Sequence, residues 1–118
     1  DTPIDGLHHD FIKTSTETYF GLFKVFATLP SPPECAGCED MILWRGDKVI
    51  EFDQDGNTIW EWNMFDHIPI EEYNPYDASH WNGTYLDWSH TNSVHYDELE
   101  NTIYLPIRNI SRIIKIDY

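Results

Sequence analysis

At 118 residues the chain could make one domain, but its pattern does not look like a complete one, and 21 acidic side chains against seven basic ones give a formal net charge of -14. It is wrong in sign for nucleic acid or an anionic membrane surface, both of which are gripped by Lys and Arg. Five Trp, seven Tyr and six Phe in a 41 % hydrophobic composition supply core material and exclude compositional disorder. No apolar run approaches the roughly 20 residues of a membrane span, so no membrane insertion is expected. Any anionic ligand meets a repelling overall field and depends on a local cationic pocket. The chain begins at Asp1 without a leader pattern, which reads as a processed mature protein or an internal fragment.

Strand signals dominate and helical periodicity is missing. Residues 8–29 alternate and are rich in aromatic and β-branched types, which predicts a hairpin turning near Ser15-Thr16-Glu17. Residues 30–40 form a Pro/Cys/acidic loop holding the sole cysteine pair, Cys35-Ala36-Gly37-Cys38. Three readings compete for that pair. A redox motif needs a helix start in a βαβ setting, which Pro30-Ser31-Pro32-Pro33 does not supply. A structural zinc site needs two further ligands, and none stands out. A disulfide between Cys35 and Cys38 stapling the insertion is the plain reading, and it fits an oxidising compartment. No metal site is expected.

Asp47-Lys48-Val49-Ile50-Glu51-Phe52 and Thr58-Ile59-Trp60-Glu61-Trp62 read as strands. Asp53-Gln54-Asp55-Gly56-Asn57 joins them with the Asp-Gly and Gly-Asn steps of a tight hairpin. A calcium loop would close on a bidentate Glu, which is absent. Residues 66–87 form a long polar connection of a kind that is usually functional or spans between units. Residues 89–96 and 102–109 then read as two strands around Asp97-Glu98-Leu99-Glu100-Asn101, and residues 112–118 as a third. Asn82-Gly83-Thr84 and Asn109-Ile110-Ser111 match the glycosylation triplet, a common chance pattern.

The segments Lys48-Val49-Ile50-Glu51-Phe52-Asp53 and Ile113-Ile114-Lys115-Ile116-Asp117 are alike, each like the third strand of a four-stranded unit. An aromatic fourth strand, Ile59-Trp60-Glu61-Trp62, follows only the first copy. This punctuation predicts an all-β fold of about two β-propeller blades. Residues 1–65 would be the first blade with the insertion at 30–40, residues 66–87 the connecting loop, and residues 88–118 a partial second blade. A propeller needs roughly four to eight blades. The piece would therefore leave apolar faces and an edge uncovered, and its expected partners are the remaining blades or further copies of the chain.

The most telling stretch is Asp87-Trp88-Ser89-His90-Thr91-Asn92-Ser93 with Arg108 eighteen residues after the histidine. In a hairpin centred on Leu99, His90 lies opposite Arg108, and His90 and Asn92 share one strand face. Directly opposed residues have Cβ atoms roughly 4.5–5.5 Å apart, so three heads can converge on one small ligand. Arg offers a planar fork for sulfate, phosphate or carboxylate oxygens, while His and Asn add directional donors. The bland alternative is an Arg paired with an acidic neighbour and a His held in a hydrogen-bond network.

Taken in order, several runs resemble an internal segment of the arylsulfotransferase family, the aryl-sulfate sulfotransferases that need no nucleotide sulfate donor. They are Leu7-His8-His9-Asp10-Phe11, Val49 through Trp62, Phe65-Asp66-His67-Ile68, Asp87 through Ser93, and Arg108-Asn109 with Ile113 through Asp117. Together they span about two thirds of the chain and leave out the Cys-containing insertion. The resemblance implies a six-bladed propeller, exported to the periplasm or cell exterior, with its site in the central channel. It implies sulfuryl transfer from a phenolic sulfate ester to a phenol through a covalent sulfohistidine, with no cofactor. His90, Asn92 and Arg108 would hold the sulfuryl oxygens, and His9, favoured over His8, would be another channel contact. The nucleophilic histidine is expected beyond Tyr118, so no catalytic nucleophile is assigned within the chain. Leu105-Pro106-Ile107 departs from the small residues the family usually has before its arginine, and Pro106 could shift the register of Arg108. The rival reading is a non-catalytic extracellular propeller used for binding or assembly.

Overall fold

The computed structural model describes residues 7–32, 37–70 and 83–118. Strands β1 (Leu7–Lys13), β2 (Tyr19–Pro30), β3 (Met41–Phe52) and β4 (Thr58–Asn63) form an antiparallel meander in chain order. Strand β5 (Leu86–Asp87) joins β3 in parallel. Strands β6 (His95–Asp97), β7 (Thr102–Ile107) and β8 (Arg112–Asp117) make a second, antiparallel sheet. A 3-10 turn, Met64–Asp66, follows β4, with the Asn63 side chain capping it by accepting from the Phe65 amide. The expected all-β class is what the chain adopts.

Local chemistry explains the turns. Between β1 and β2 the Thr14 hydroxyl accepts from the Thr18 amide at 3.2 Å, and Glu17 takes a left-handed φ of 63°. Between β3 and β4 one Asp53 carboxylate oxygen accepts from the amides of Asp55 and Asn57 at 3.0 and 2.8 Å. Gly56 supplies the positive φ of 84° that this tight return needs. The Asp53 carboxylate is therefore occupied by its own turn, and the Asn57 amide above all holds it below the usual carboxylate range. Asp97 repeats the device between β6 and β7, accepting from Leu99 and Glu100.

Strand β3 begins at Met41, six positions before the start expected at Asp47. Its added stretch, Met-Ile-Leu-Trp-Arg-Gly, has no clean alternation to read, because Ile42, Trp44 and Arg45 are all buried. Strands β2 and β3 stay in register from Tyr19↔Phe52 to Pro30↔Met41, and the Trp44 indole closes the far end on the Pro30 carbonyl at 3.2 Å. The opposite edge of β3 carries two strands end to end: β4 along Lys48–Phe52 and β5 at Trp44 and Arg45. The connection expected over 66–87 thus ends in strand, which two residues are too few to signal; residues 71–82 of it lie outside the described part.

Period two along the strands decides which side chains meet. Phe20 and Leu22 of β2 and Val49 of β3 turn to one face and join the main core with Trp62, Trp88, Val94, Ile103, Leu105, Ile107 and Ile116. That core lies between the two sheets. Phe23, Ile50 and Phe52, with Tyr19 against them, form a second cluster on the other face of the first sheet, with Phe11 beside Tyr19 and still half-exposed. Both faces of the first sheet are therefore apolar, whereas a free-standing antiparallel sheet ordinarily leaves one face wet.

Candidate functional site

The site starts with a ladder that cannot stay regular. Strands β6 and β7 pair as His95↔Tyr104, Tyr96↔Ile103 and Asp97↔Thr102, half a residue beyond the expected centre on Leu99. Upstream, the pairing slips by one: Thr91 bridges Ile107, the Arg108 amide donates to the His90 carbonyl at 3.2 Å, and the Asn92 amide donates to the Pro106 carbonyl at 3.3 Å. His90 lies opposite Arg108, but no continuous strand over 89–96 forms. Pro106 has no N–H to return the bond to Asn92. His90 also sits at a left-handed φ of 51°, a conformation that costs a non-glycine residue about 1–2 kcal/mol. Pro106 thus interrupts the ladder and leaves Arg108 in place.

Burial still alternates through this segment: Ser89 and Thr91 are buried, His90 is partly buried and Asn92 is exposed. The inward pair is tied to the first sheet by Asp47, a β3 carboxylate 1 % exposed, which accepts from the Ser89 hydroxyl at 2.7 Å and the Thr91 amide at 2.9 Å. Outward, His90 Nδ1 lies 2.7 Å from the Asp87 carboxylate. An ionised carboxylate can only accept, so Nδ1 carries the proton in that bond. The other Asp87 oxygen is 3.9 Å from the buried Arg45 guanidinium. Asn109, also buried, donates through Nδ2 to the Asp87 carbonyl at 2.7 Å and accepts from Arg108 Nε at 3.2 Å. That burial leaves no room for a glycan on the Asn109-Ile110-Ser111 triplet.

Asn92 and Arg108 line one shallow cavity of about 250 Å³ together with Pro106, Ile107, Ser111, Arg112 and Ile113. His90 is not in that lining; it reaches the other two through the backbone bond to Arg108 and through Asp87 and Asn109. The Arg108 guanidinium, a carboxamide and a hydroxyl beside apolar Pro106 and Ile113 offer donors for an oxyanion and a wall for a flat ring. Arg108 and Arg112, two of the chain's seven basic residues, line this cavity together on an otherwise acidic chain. A second open cavity of about 400 Å³ runs along β8 between Arg112 and Lys115 and the ring of His67, which stacks on Trp62 at 4.8 Å.

The backbone of His9 belongs to β1, where the pairing with β2 shifts between Leu7↔Phe23 and Phe11↔Gly21; its side chain lies outside the described part. Cys35 and His80 lie outside the described residues as well, so the Cys35–Cys38 pairing stays an expectation. His95 is exposed and bonds Ser93 at 3.0 Å, away from the site. Sequence reading missed Asp47, Asp87, Asn109, Ser111 and Arg112. Asp87 alone had a local signal, a carboxylate three positions before the histidine.

Fold and site define an all-β chain with a small cationic cavity at one end of its second sheet. The arylsulfotransferase (ASST) family model matches residues 3–118, and the chain belongs to that family. The match takes in the Cys-containing stretch that the motif-by-motif resemblance left out. No individual curated protein matches the chain.

Proposed function

We propose that this chain is a segment of an aryl sulfotransferase-like protein that moves a sulfuryl group from a phenolic sulfate ester to a phenol through a sulfohistidine, and that the segment supplies groups holding the sulfuryl oxygens. The observation that carries the reading is the cavity shared by Asn92 and Arg108, with His90 paired to Arg108 through the backbone, in a chain of this family. In the first half-reaction a histidine nitrogen attacks sulfur as the S–O ester bond breaks, and the departing phenolate takes up the proton that the histidine ring gives up. In the second, the acceptor phenol oxygen attacks sulfur as the N–S bond breaks, and the phenol's proton returns to the ring of the released histidine. Negative charge stays on the sulfuryl oxygens throughout, and fixed N–H donors from Arg108, Asn92 and His90 oppose it. The covalent histidine is assigned outside this segment, and His9 is proposed as a further channel contact.

The apolar faces on both sides of the first sheet support a propeller, in which each blade is covered by two neighbours. An extracellular or periplasmic setting follows if Cys35 and Cys38 are oxidised. The test is transfer from 4-nitrophenyl sulfate to phenol by the intact protein. Arg108→Ala is expected to lower kcat/KM about 100-fold or more, as loss of an oxyanion donor does. Transfer at the wild-type rate in both Arg108→Ala and His90→Ala would overturn the assignment. Aryl sulfate binding without turnover would favour the binding role instead.

A further inference from the structure

We propose that Asp87 and Asn109 are positioning residues: together they set where His90 and Arg108 stand, and Asp87 fixes which ring nitrogen of His90 is turned toward a ligand. The proposal rests on the reading that His90 and Arg108 hold a sulfuryl group.

Asp87 is fixed by strand pairing and by its buried neighbours. Strand β5 pairs Leu86 with Trp44 and Asp87 with Arg45, and the Trp88 amide continues the pairing to the Arg45 carbonyl at 3.1 Å. Leu86 and Trp88 on either side are fully buried, and the Trp88 ring stacks on Phe65 at 5.1 Å and meets Trp44 edge-on at 6.1 Å. From this clamped residue one polar group reaches His90 directly and another reaches Arg108 through Asn109. The carboxylate accepts a hydrogen bond from His90 Nδ1, and the carbonyl accepts one from Asn109 Nδ2. Asn109 is held a second time, by its amide on the Ser89 carbonyl at 2.9 Å, and its Oδ1 receives Arg108 Nε.

Each contact has a chemical consequence. With Nδ1–H bonded to Asp87, Nε2 is the ring nitrogen turned away from the carboxylate. Arg45 at 3.9 Å from the other carboxylate oxygen opposes rotation of Asp87 away from His90. With Nε spent on Asn109, the plane of the Arg108 fork is set and its terminal nitrogens remain as the edge that grips two oxygens. The bond to Asp87 also helps hold His90 in its left-handed backbone.

The experiment is ¹⁵N NMR of histidine ring nitrogens in the intact protein, combined with titration by inorganic sulfate. Wild type is expected to show a protonated, locked Nδ1 at His90. Asp87→Ala is expected to release the lock, so that the two ring-nitrogen shifts converge, and to weaken sulfate about tenfold, while His67 and His95 keep their signals. Asn109→Ala weakens sulfate similarly and leaves the His90 ring signals unchanged. Should Asp87→Ala disturb His67 and His95 too, Asp87→Asn decides. It keeps the shape and an acceptor oxygen, so its Nδ1 proton should move upfield and sulfate weaken a few-fold. His90 signals and sulfate affinity unchanged in the folded Asp87 variants would overturn the proposal, with the sulfuryl-binding reading intact so long as Arg108→Ala still loses sulfate. Sulfate binding indifferent to both Arg108 and His90 overturns that reading, and the ring-nitrogen shifts then still report whether Asp87 holds His90.

Discussion

Strand β3 carries two buried carboxylates on the same face, Asp47 and Glu51, four residues apart with Val49 between them, and the two ends they mark are built differently. At the Asp47 end the partners are a serine hydroxyl and a backbone amide from the irregular segment 89–91. At the Glu51 end they are hydroxyls: Thr18 at 2.6 Å and Tyr118, in a cluster where Phe20 meets Tyr96 at 4.7 Å and Trp60 meets Tyr118 at 5.0 Å. Apolar rings pack at both ends, with Trp88 on Phe65 and Trp44 at the first. Only at the first do buried hydrogen bonds also hold a chain that cannot form a regular ladder. Backbone placement at the first end therefore depends on a few polar groups as well as on packing, and that is where the candidate binding residues stand.

Breaking the first end should cost both stability and ligand binding. Trp88→Ala removes the ring packed on Phe65 and Trp44 and is expected to destabilise by about 3–5 kcal/mol in chemical denaturation, with loss of sulfate binding in the folded fraction. Asp47→Ala strands the Ser89 hydroxyl and the Thr91 amide in the interior, a loss of roughly 2–4 kcal/mol, again with weaker sulfate. At the second end Glu51→Gln should cost only about 1–2 kcal/mol and leave sulfate affinity unchanged. Equal losses of affinity at the two ends would erase the distinction.

Two titrations sharpen it further. The bond to Glu51, and burial after it, push the Tyr118 hydroxyl up to about 12 from its ordinary 10.0. The neutral phenol is the form favoured by folding, so this contribution is whole below pH 10.0 and is lost as pH rises through about 12. Ultraviolet titration of the phenolate should find Tyr118 late in wild type and earlier in Glu51→Gln. The smallest effect belongs to the exposed turn at Asp53, whose carboxylate is held below its ordinary 3.8. Its contribution is present above pH 3.8 and disappears as pH falls through the lower folded value, so the stability gap between wild type and Asp53→Asn should narrow on acidification.

Legibility in the sequence followed the range of the interactions. The turns at 14–18, 53–57 and 97–101 were readable because each is held by its own Thr, Asp or Gly. His90 and Arg108 were readable as opposed residues, although the regular strand assumed for them is broken at Pro106 and at the left-handed His90. Asp47 was not, because its partners lie 42 and 44 positions away across a gap that ends in a two-residue strand. Asn109 read as the neighbour of an arginine, and only the return of the chain past Asp87 gives its carboxamide a task.

The central claim is most directly tested by a crystal structure of the intact protein with an unreactive aryl sulfate analogue bound. The account predicts the sulfuryl oxygens within hydrogen-bond reach of Arg108, Asn92 and His90, with the ring against Pro106 and Ile113. A sulfate group seated instead along β8, between Lys115 and the His67–Trp62 stack, would contradict it.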